Sequence, residues 1–151
     1  MAFQTGQKVA GPLVSPGEQA HPAMAADPAS CILLVDDDPI IRESVGAMLN
    51  FIGWDSVSVA SGEEACSTLT DGLKAALVIL DLDMPGWGGA ATLPRLRALR
   101  PSLPVVISTG RVQDTAVALA SRYPRVGLMP KPYGLGELKR CLAEWCVDSQ
   151  V

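Results

Sequence analysis

Val78-Ile79-Leu80-Asp81-Leu82-Asp83-Met84-Pro85-Gly86 decides the fold. The apolar run from Ala76 to Leu80 ends abruptly in a carboxylate, and turn residues follow at Pro85 and Gly86. A short unbroken apolar run bounded by turn signals is the pattern of a strand buried on both faces. Asp81 then closes the strand at its C-terminal end, the edge at which open α/β sheets bind their ligands.

Working outward, Cys31-Ile32-Leu33-Leu34-Val35 repeats the pattern and ends in Asp36-Asp37-Asp38-Pro39. Asp38 before Pro39 suits an N-cap and a first helical position. Ile40, Ile41, Ser44, Val45, Met48, Leu49 and Ile52 keep a helical spacing up to the stop at Gly53. Asp55 to Ala60 alternates, as a strand nearer an edge does. Ser61-Gly62-Glu63-Glu64 reads as a capping box, and its helix runs to about Leu73, closed by Asp71-Gly72. Beyond the loop after Asp81, Ala90 to Leu99 is helical with Leu93, Leu96 and Leu99 on one face. Pro94 is expected to kink this helix or delay its start. Pro104 to Thr109 and Arg125 to Pro130 are two more strands. Gln113 to Arg122 is a helix with Val117, Ala120 and Ser121 on one side. Leu135 to Cys146 is the last helix, with Leu138, Leu142 and Trp145 inward. Five strands alternating with five helices predict a parallel sheet covered on both faces and right-handed crossovers. The expected architecture is a flavodoxin-like (βα)5 three-layer sandwich of strand order 2-1-3-4-5.

Composition bounds the rest. At 151 residues, with 48% apolar and 19% charged side chains and net charge −4, one soluble domain is expected. No basic block is present, which disfavours direct nucleic-acid binding. No apolar run reaches membrane-spanning length and no signal-peptide pattern opens the chain, so a cytoplasmic location is expected. Cys31, Cys66, Cys141 and Cys146 form no C-x-x-C pair, and His21 stands far from them. Buried thiols therefore outrank a Cys/His metal site. Residues 1–29 are rich in Gly, Pro, Ala, Ser and Gln without periodicity and read as a tail or linker. The expected domain is 30–147, with 148–151 a short C-terminal tail.

The strand ends collect chemistry. Strand one supplies Asp36 and Asp37, strand three Asp81, strand four Thr109 beside Gly110, and strand five Lys131. In a parallel sheet these all reach one edge. Carboxylates crowded together repel, and a hard divalent cation with oxygen ligands relieves that repulsion. Mg²⁺ also organises a transferring phosphoryl group. Lys131 can pair with Asp81 or a phosphoryl oxygen, and Thr109 can donate to another. The set is suited to placing a phosphoryl group on an aspartate.

At this point Leu33-Leu34-Val35-Asp36-Asp37-Asp38-Pro39, Leu80-Asp81-Leu82-Asp83-Met84-Pro85-Gly86, Ser108-Thr109-Gly110 and Pro130-Lys131-Pro132-Tyr133 together resemble the signature segments of response-regulator receiver domains. These are the phosphoacceptor modules of two-component signalling, and the resemblance covers about 31 to 146. It implies Asp81 as phosphoacceptor and modified residue. Asp36, Asp37 and Asp81, with the backbone carbonyl of Asp83, become the Mg²⁺ ligands. Thr109 becomes the switch hydroxyl, Lys131 the phosphoryl partner, and Lys131-Pro132 a cis peptide. The implied partners are a sensor histidine kinase or phosphotransfer protein and a downstream protein target on the helix 4–strand 5–helix 5 face, with self-association as a homodimer a further option. Such a receiver catalyses its own phosphorylation and later hydrolyses the acyl phosphate, which is not conventional enzyme turnover.

Three departures stand out. Leu128 takes a place where the family often has an aromatic ring, Pro94 interrupts a helix, and Asp83 with Arg111 occupies two positions that tune the access of water. An Asp83–Arg111 ion pair shielding the acyl phosphate is expected. Trp87 reads as a loop residue that could help a partner contact. Arg95, Arg97 and Arg100 read as a solvated face. Two alternatives stay in view. A haloacid-dehalogenase-like phosphatase shares the Asp-x-Asp chemistry but places its nucleophile after the first strand. A receiver-fold binding module would lack phosphorylation altogether. No Gly-rich loop follows strand one, which disfavours a Rossmann nucleotide site. With no output domain after Cys146, a stand-alone receiver and the terminal receiver of a hybrid kinase both remain open.

Overall fold

The apolar runs pair side by side as parallel strands. The computed structural model describes residues 31–110 and 114–146. The expected tails at 1–29 and 148–151, and Arg111, lie outside the described residues. In chain order the elements are β1 (Cys31–Val35), α1 (Pro39–Phe51), β2 (Asp55–Val59), α2 (Gly62–Thr70), β3 (Ala75–Asp81), α3 (Gly88–Leu99), β4 (Val105–Thr109), α4 (Asp114–Arg122), β5 (Val126–Pro130) and α5 (Leu135–Cys146). The sheet order is β2-β1-β3-β4-β5, and every pairing is parallel. This is the expected (βα)5 order of 2-1-3-4-5.

Side chains of β3 alternate between two cores. Leu77 and Ile79 meet Val45 and Leu49 of α1 and Leu138 and Leu142 of α5. Val78 and Leu80 meet Ala65 and Leu69 of α2, Leu93 and Leu96 of α3, and Ala116 and Leu119 of α4. Burial on both faces is why the strand reads as an unbroken apolar run. β2 at the sheet edge keeps Asp55 and Ser58 exposed, which explains its alternation.

Local signals set the helix starts. Asp38 accepts from the backbone N–H of Ile40, with Pro39 at the first helical position. Ser61 accepts from the N–H of Glu64, and Glu64 reaches back to the N–H of Ala60, one residue ahead of the usual capping-box partner.

Several expectations need correction. α3 begins at Gly88, six positions before Pro94, and runs through it. Side chains satisfy nearby carbonyls: the Thr92 hydroxyl donates to Gly88 O at 2.6 Å and the Arg95 guanidinium to Ala91 O at 2.8 Å. The inner face of α4 is Ala116 and Leu119, while Val117 is 46% exposed and Ser121 is exposed. α5 turns Leu138 and Leu142 inward as expected, the thiols of Cys141 and Cys146 are buried beside them, and Trp145 sits partly buried against Gly127 at the edge strand. All four cysteines are free, and burial raises each thiol pKa, Cys141 to about 12 and Cys146 to about 11.

Arg95 of α3 is exposed, as expected of a solvated face, but Arg97 and the C-cap Arg100 are partly buried and hold backbone carbonyls. Arg95 lies 4.1 Å over the Trp87 ring, and Arg100 donates to Leu69 O at 2.7 Å. Arg97 donates to Leu103 O at 2.6 Å, Pro124 O at 2.9 Å, Arg100 O at 3.0 Å, Pro101 O at 3.2 Å and Arg125 O at 3.4 Å. It ties the entry to β4 to the entry to β5. Arg97→Ala is expected to lower stability by about 2–3 kcal/mol, because it strips part-buried carbonyls of a donor. Arg97→Lys should not restore it, since a single ammonium cannot span a fork of acceptors. Chemical denaturation of the two variants checks both statements.

Candidate functional site

Register brings the strand ends level. Val35 pairs with Leu80, so Asp36 stands beside Asp81. Asp81 pairs with Ser108, and Thr109 pairs with Pro130, which hands the chain on to Lys131. The Lys131 N–H donates to Thr109 O at 2.7 Å, and Lys131-Pro132 is cis, as expected. The Lys131 ammonium lies 3.0 Å from Asp36 Oδ2 and 3.2 Å from Asp81 Oδ1. One cation therefore bridges two carboxylates that are almost wholly buried.

Each acid is held by backbone. Asp36 Oδ1 accepts the N–H of Asp38 at 2.9 Å, and Asp36 O accepts the Arg42 guanidinium at 2.9 Å. Asp81 Oδ1 accepts the N–H of Asp83 at 3.2 Å. Gly89, at the start of α3, donates to Leu82 O at 3.1 Å and packs so closely that a Cβ there would sit 2.8 Å from Asp81 O. Loop, helix and strand end thus form one support for Asp81.

Carboxylate oxygens of Asp36, Asp37 and Asp81 lie within 4.8 Å of one another, with Asp37 exposed and the other two buried. An all-oxygen set of this kind, opened to solvent on one side, fits a hard divalent cation that keeps several waters. Asp83 contributes no side-chain oxygen to the cluster. Its carboxylate instead meets Thr109, whose buried hydroxyl donates to Asp83 Oδ2 at 3.4 Å. The expected Asp83–Arg111 pair involves a residue outside the described ones. Leu128 is partly buried against the core of the α2, α3 and α4 face.

Burial and the neighbouring Asp36 charge push the Asp81 pKa up to about 6, against the pull of Lys131 and of the Asp83 N–H. For Lys131 burial acts downward, but the hydrogen bond to Asp36 and the charges of Asp81 and Asp36 outweigh it and hold the ammonium above its ordinary value. Burial likewise raises the Tyr133 pKa, and the nearby Ser108 hydroxyl pulls it the other way.

Asp81 makes the stability of the domain depend on pH. Its folded pKa of about 6 exceeds the ordinary 3.8, so the folded state holds the proton more tightly than the unfolded chain. Its charge therefore costs stability above about pH 6, and that cost fades as pH falls through the window toward 3.8. In magnesium-free buffer Asp81→Asn is expected to raise stability by about 2–3 kcal/mol at pH 7.5, with the gain shrinking toward zero at pH 4. Thermal melts of both proteins across this range supply the check; a gain that grows toward acid would contradict it.

Residues 32–143 match the family model described as the response regulator receiver domain, and the chain belongs to that family. It is a receiver domain of two-component response regulators, with the doubly wound fold and the acidic edge that the family uses. Receiver domains interact with histidine kinases or phosphotransfer proteins and bind Mg²⁺ at an acidic pocket. The chain is 31% identical over 115 residues to the C4-dicarboxylate transport transcriptional regulatory protein DctD of Rhizobium meliloti, covering 76% of this chain and 24% of that protein. It is 31% identical over 114 residues to the response regulator GacA of Pseudomonas aeruginosa, covering 75% of this chain and 53% of that one. A solved response regulator receiver protein from Pseudomonas putida superposes with a TM-score of 0.71 at 26% identity, covering 77% of this chain and 97% of that one. The chain spans about half or less of these curated relatives, and DctD is by its name a transcriptional regulator. Among the described residues no helix is long and apolar enough to cross a membrane.

Sequence reasoning missed two features of the site. Gly89 gave no signal apart from its place in a Gly-rich loop. Ser108 was visible as a polar residue closing the apolar run of β4, but its burial among the side chains of the sheet gave no local signal.

Proposed function

We propose that Asp81 accepts a phosphoryl group from a phosphohistidine on a sensor kinase or phosphotransfer protein, and that residues 30–147 are the unit that does so. The observation that carries this reading is the Lys131 ammonium set between Asp36 and Asp81, beside an exposed Asp37. Asp36, Asp37 and Asp81, with the Asp83 carbonyl, would hold Mg²⁺, which supplies charge neutralisation at the phosphoryl oxygens. The Asp81 carboxylate attacks phosphorus, an O–P bond forms, and the P–N bond to the histidine breaks with its electron pair returning to the ring. Lys131 stabilises the charge on a phosphoryl oxygen, and Thr109 leaves Asp83 to donate to another. Water later attacks phosphorus, releases inorganic phosphate and restores the carboxylate.

The partner reached after phosphorylation is a protein on the face formed by α4, β5 and α5, where Val117 is exposed. The lack of a basic block supports output through protein rather than direct nucleic-acid contact by this domain. A cytoplasmic location is part of the same reading. The test is phosphorylation by a small donor, acetyl phosphate, with Mg²⁺. The wild type should take up an acid-stable, base-labile phosphoryl group, and Asp81→Asn should not.

A further inference from the structure

Two buried hydroxyls, on Ser108 at the end of β4 and on Tyr133 two residues past Lys131, have no part in the chemistry above. Ser108 ends the apolar run of β4 and is 1% exposed. Its Oγ and the Oη of Tyr133 are both shut off from solvent, and neither is in hydrogen-bond geometry with any partner. Strand register sets Ser108 directly beside Asp81 on one side and Met129 on the other. Tyr133 packs on the same face of the sheet, in the core that holds Ile79, Val106 and Met129. Buried hydroxyls left unpaired are costly, and native proteins pair them almost without exception. The Ser108 hydroxyl lies near enough to act on Tyr133, and two adjoining hydroxyls can satisfy each other by a small rotation about their side-chain bonds.

We propose that Ser108 and Tyr133 are a positioning pair, whose hydroxyls bond to one another and clamp the Lys131-Pro132-Tyr133 turn to the end of β4. The inference rests on the phosphoacceptor reading above. Lys131 is fixed at its own N–H by Thr109 O, at 2.7 Å. After it come Pro132, which has no N–H to donate, and then Tyr133, before Gly134 is tied to Glu137 at the start of α5. Tyr133 is thus the anchor on the far side of the lysine. Ser108 is the β4 residue paired with Asp81, so the clamp refers the lysine to the strand that also sets the carboxylate it must meet. A fixed ammonium acts on a developing phosphoryl charge without first being ordered.

Tyr133→Phe, Ser108→Ala and the double variant keep the shapes and remove only the hydroxyls. Phosphorylation by acetyl phosphate is expected to slow roughly 3- to 10-fold in each single variant at saturating Mg²⁺, with the Mg²⁺ midpoint unchanged. The double variant should be no slower than either single one and should melt no lower, because the two hydroxyls act as one unit. Ser108→Thr, which keeps the hydroxyl, should retain most of the rate. Single variants at the wild-type rate, or losses that multiply in the double variant, would overturn the pair. Asp81→Asn in the same series separates the two readings. Labelling of that variant defeats the phosphoacceptor assignment, whereas its failure to label alongside unaffected hydroxyl variants defeats only the positioning pair.

Discussion

Lys131→Ala is expected to slow phosphorylation by acetyl phosphate on the order of 100-fold or more, the usual effect of removing a preorganised charge from a developing oxyanion. The ammonium is the cation among the described side chains that touches both Asp36 and Asp81, at 3.0 and 3.2 Å. Without it, burial and the Asp36 charge would act on Asp81 unopposed by an ammonium, and its pKa would climb further above about 6. More of the nucleophile would then be protonated at neutral pH. The loss in rate should therefore be larger at pH 6 than at pH 8.5, where the carboxylate is recovered. Stability should fall as well, by about 2–4 kcal/mol at pH 7, because two buried carboxylates would face each other without a partner. Lowering the pH through the raised Asp81 pKa should return part of it. Lys131→Arg should rescue little, since a planar fork does not occupy the place of a point charge between two acids. Initial rates and melts on these variants at the two pH values decide the matter; a rate within about threefold of wild type would remove Lys131 from the chemistry.

Gly89→Ala is the second large effect, and it acts through backbone alone. A Cβ at Gly89 would lie 2.7 Å from Leu82 Cα and 2.8 Å from Asp81 O. Neither atom belongs to a flexible side chain, so α3 or the end of β3 must move. The expected cost is about 2–3 kcal/mol, equivalent to roughly 10 °C in Tm for a domain of this size. The rate should fall too, because the displaced atoms include the support of Asp81. Gly136→Ala is the matched control. It lies in α5 with nothing near the added methyl and should be neutral or stabilising by up to about 1 kcal/mol. Equal melting temperatures for the two variants would show that the close approach at Gly89 does not constrain the loop.

The contrast between these two residues explains what could be read from the sequence. Lys131 was legible because a buried strand ends just before it and prolines flank it, so its direction was constrained by local chemistry. Asp36 and Asp81 were legible for the same reason: each ends an apolar run, and parallel strands bring such ends together. The strand order and both core faces followed from the same runs. Gly89 was not legible, since close approach between a helix start and a strand end is a property of packing that no local pattern records. Arg97 and Arg100 were misread for a related reason. Charged residues on a helix resemble a solvated face until the loops that place carbonyls beneath them are known. Val117 and Leu119 show a third limit. α4 is short, with apolar residues on more than one side, and the sheet beneath it decides which side turns inward. Asp83 lay in a motif, yet the contact its carboxylate makes with Thr109 depends on the end of another strand.

The central claim is that the acidic edge of the sheet carries out phosphoryl transfer onto Asp81. Intact-mass analysis after incubation with acetyl phosphate and Mg²⁺, followed by brief base treatment, tests it most directly. The account expects one added phosphoryl group on the wild-type chain, removed by base and stable to acid, dependent on Mg²⁺ and absent from Asp81→Asn. An adduct that persists in Asp81→Asn, or that forms equally well with the metal chelated, would contradict it.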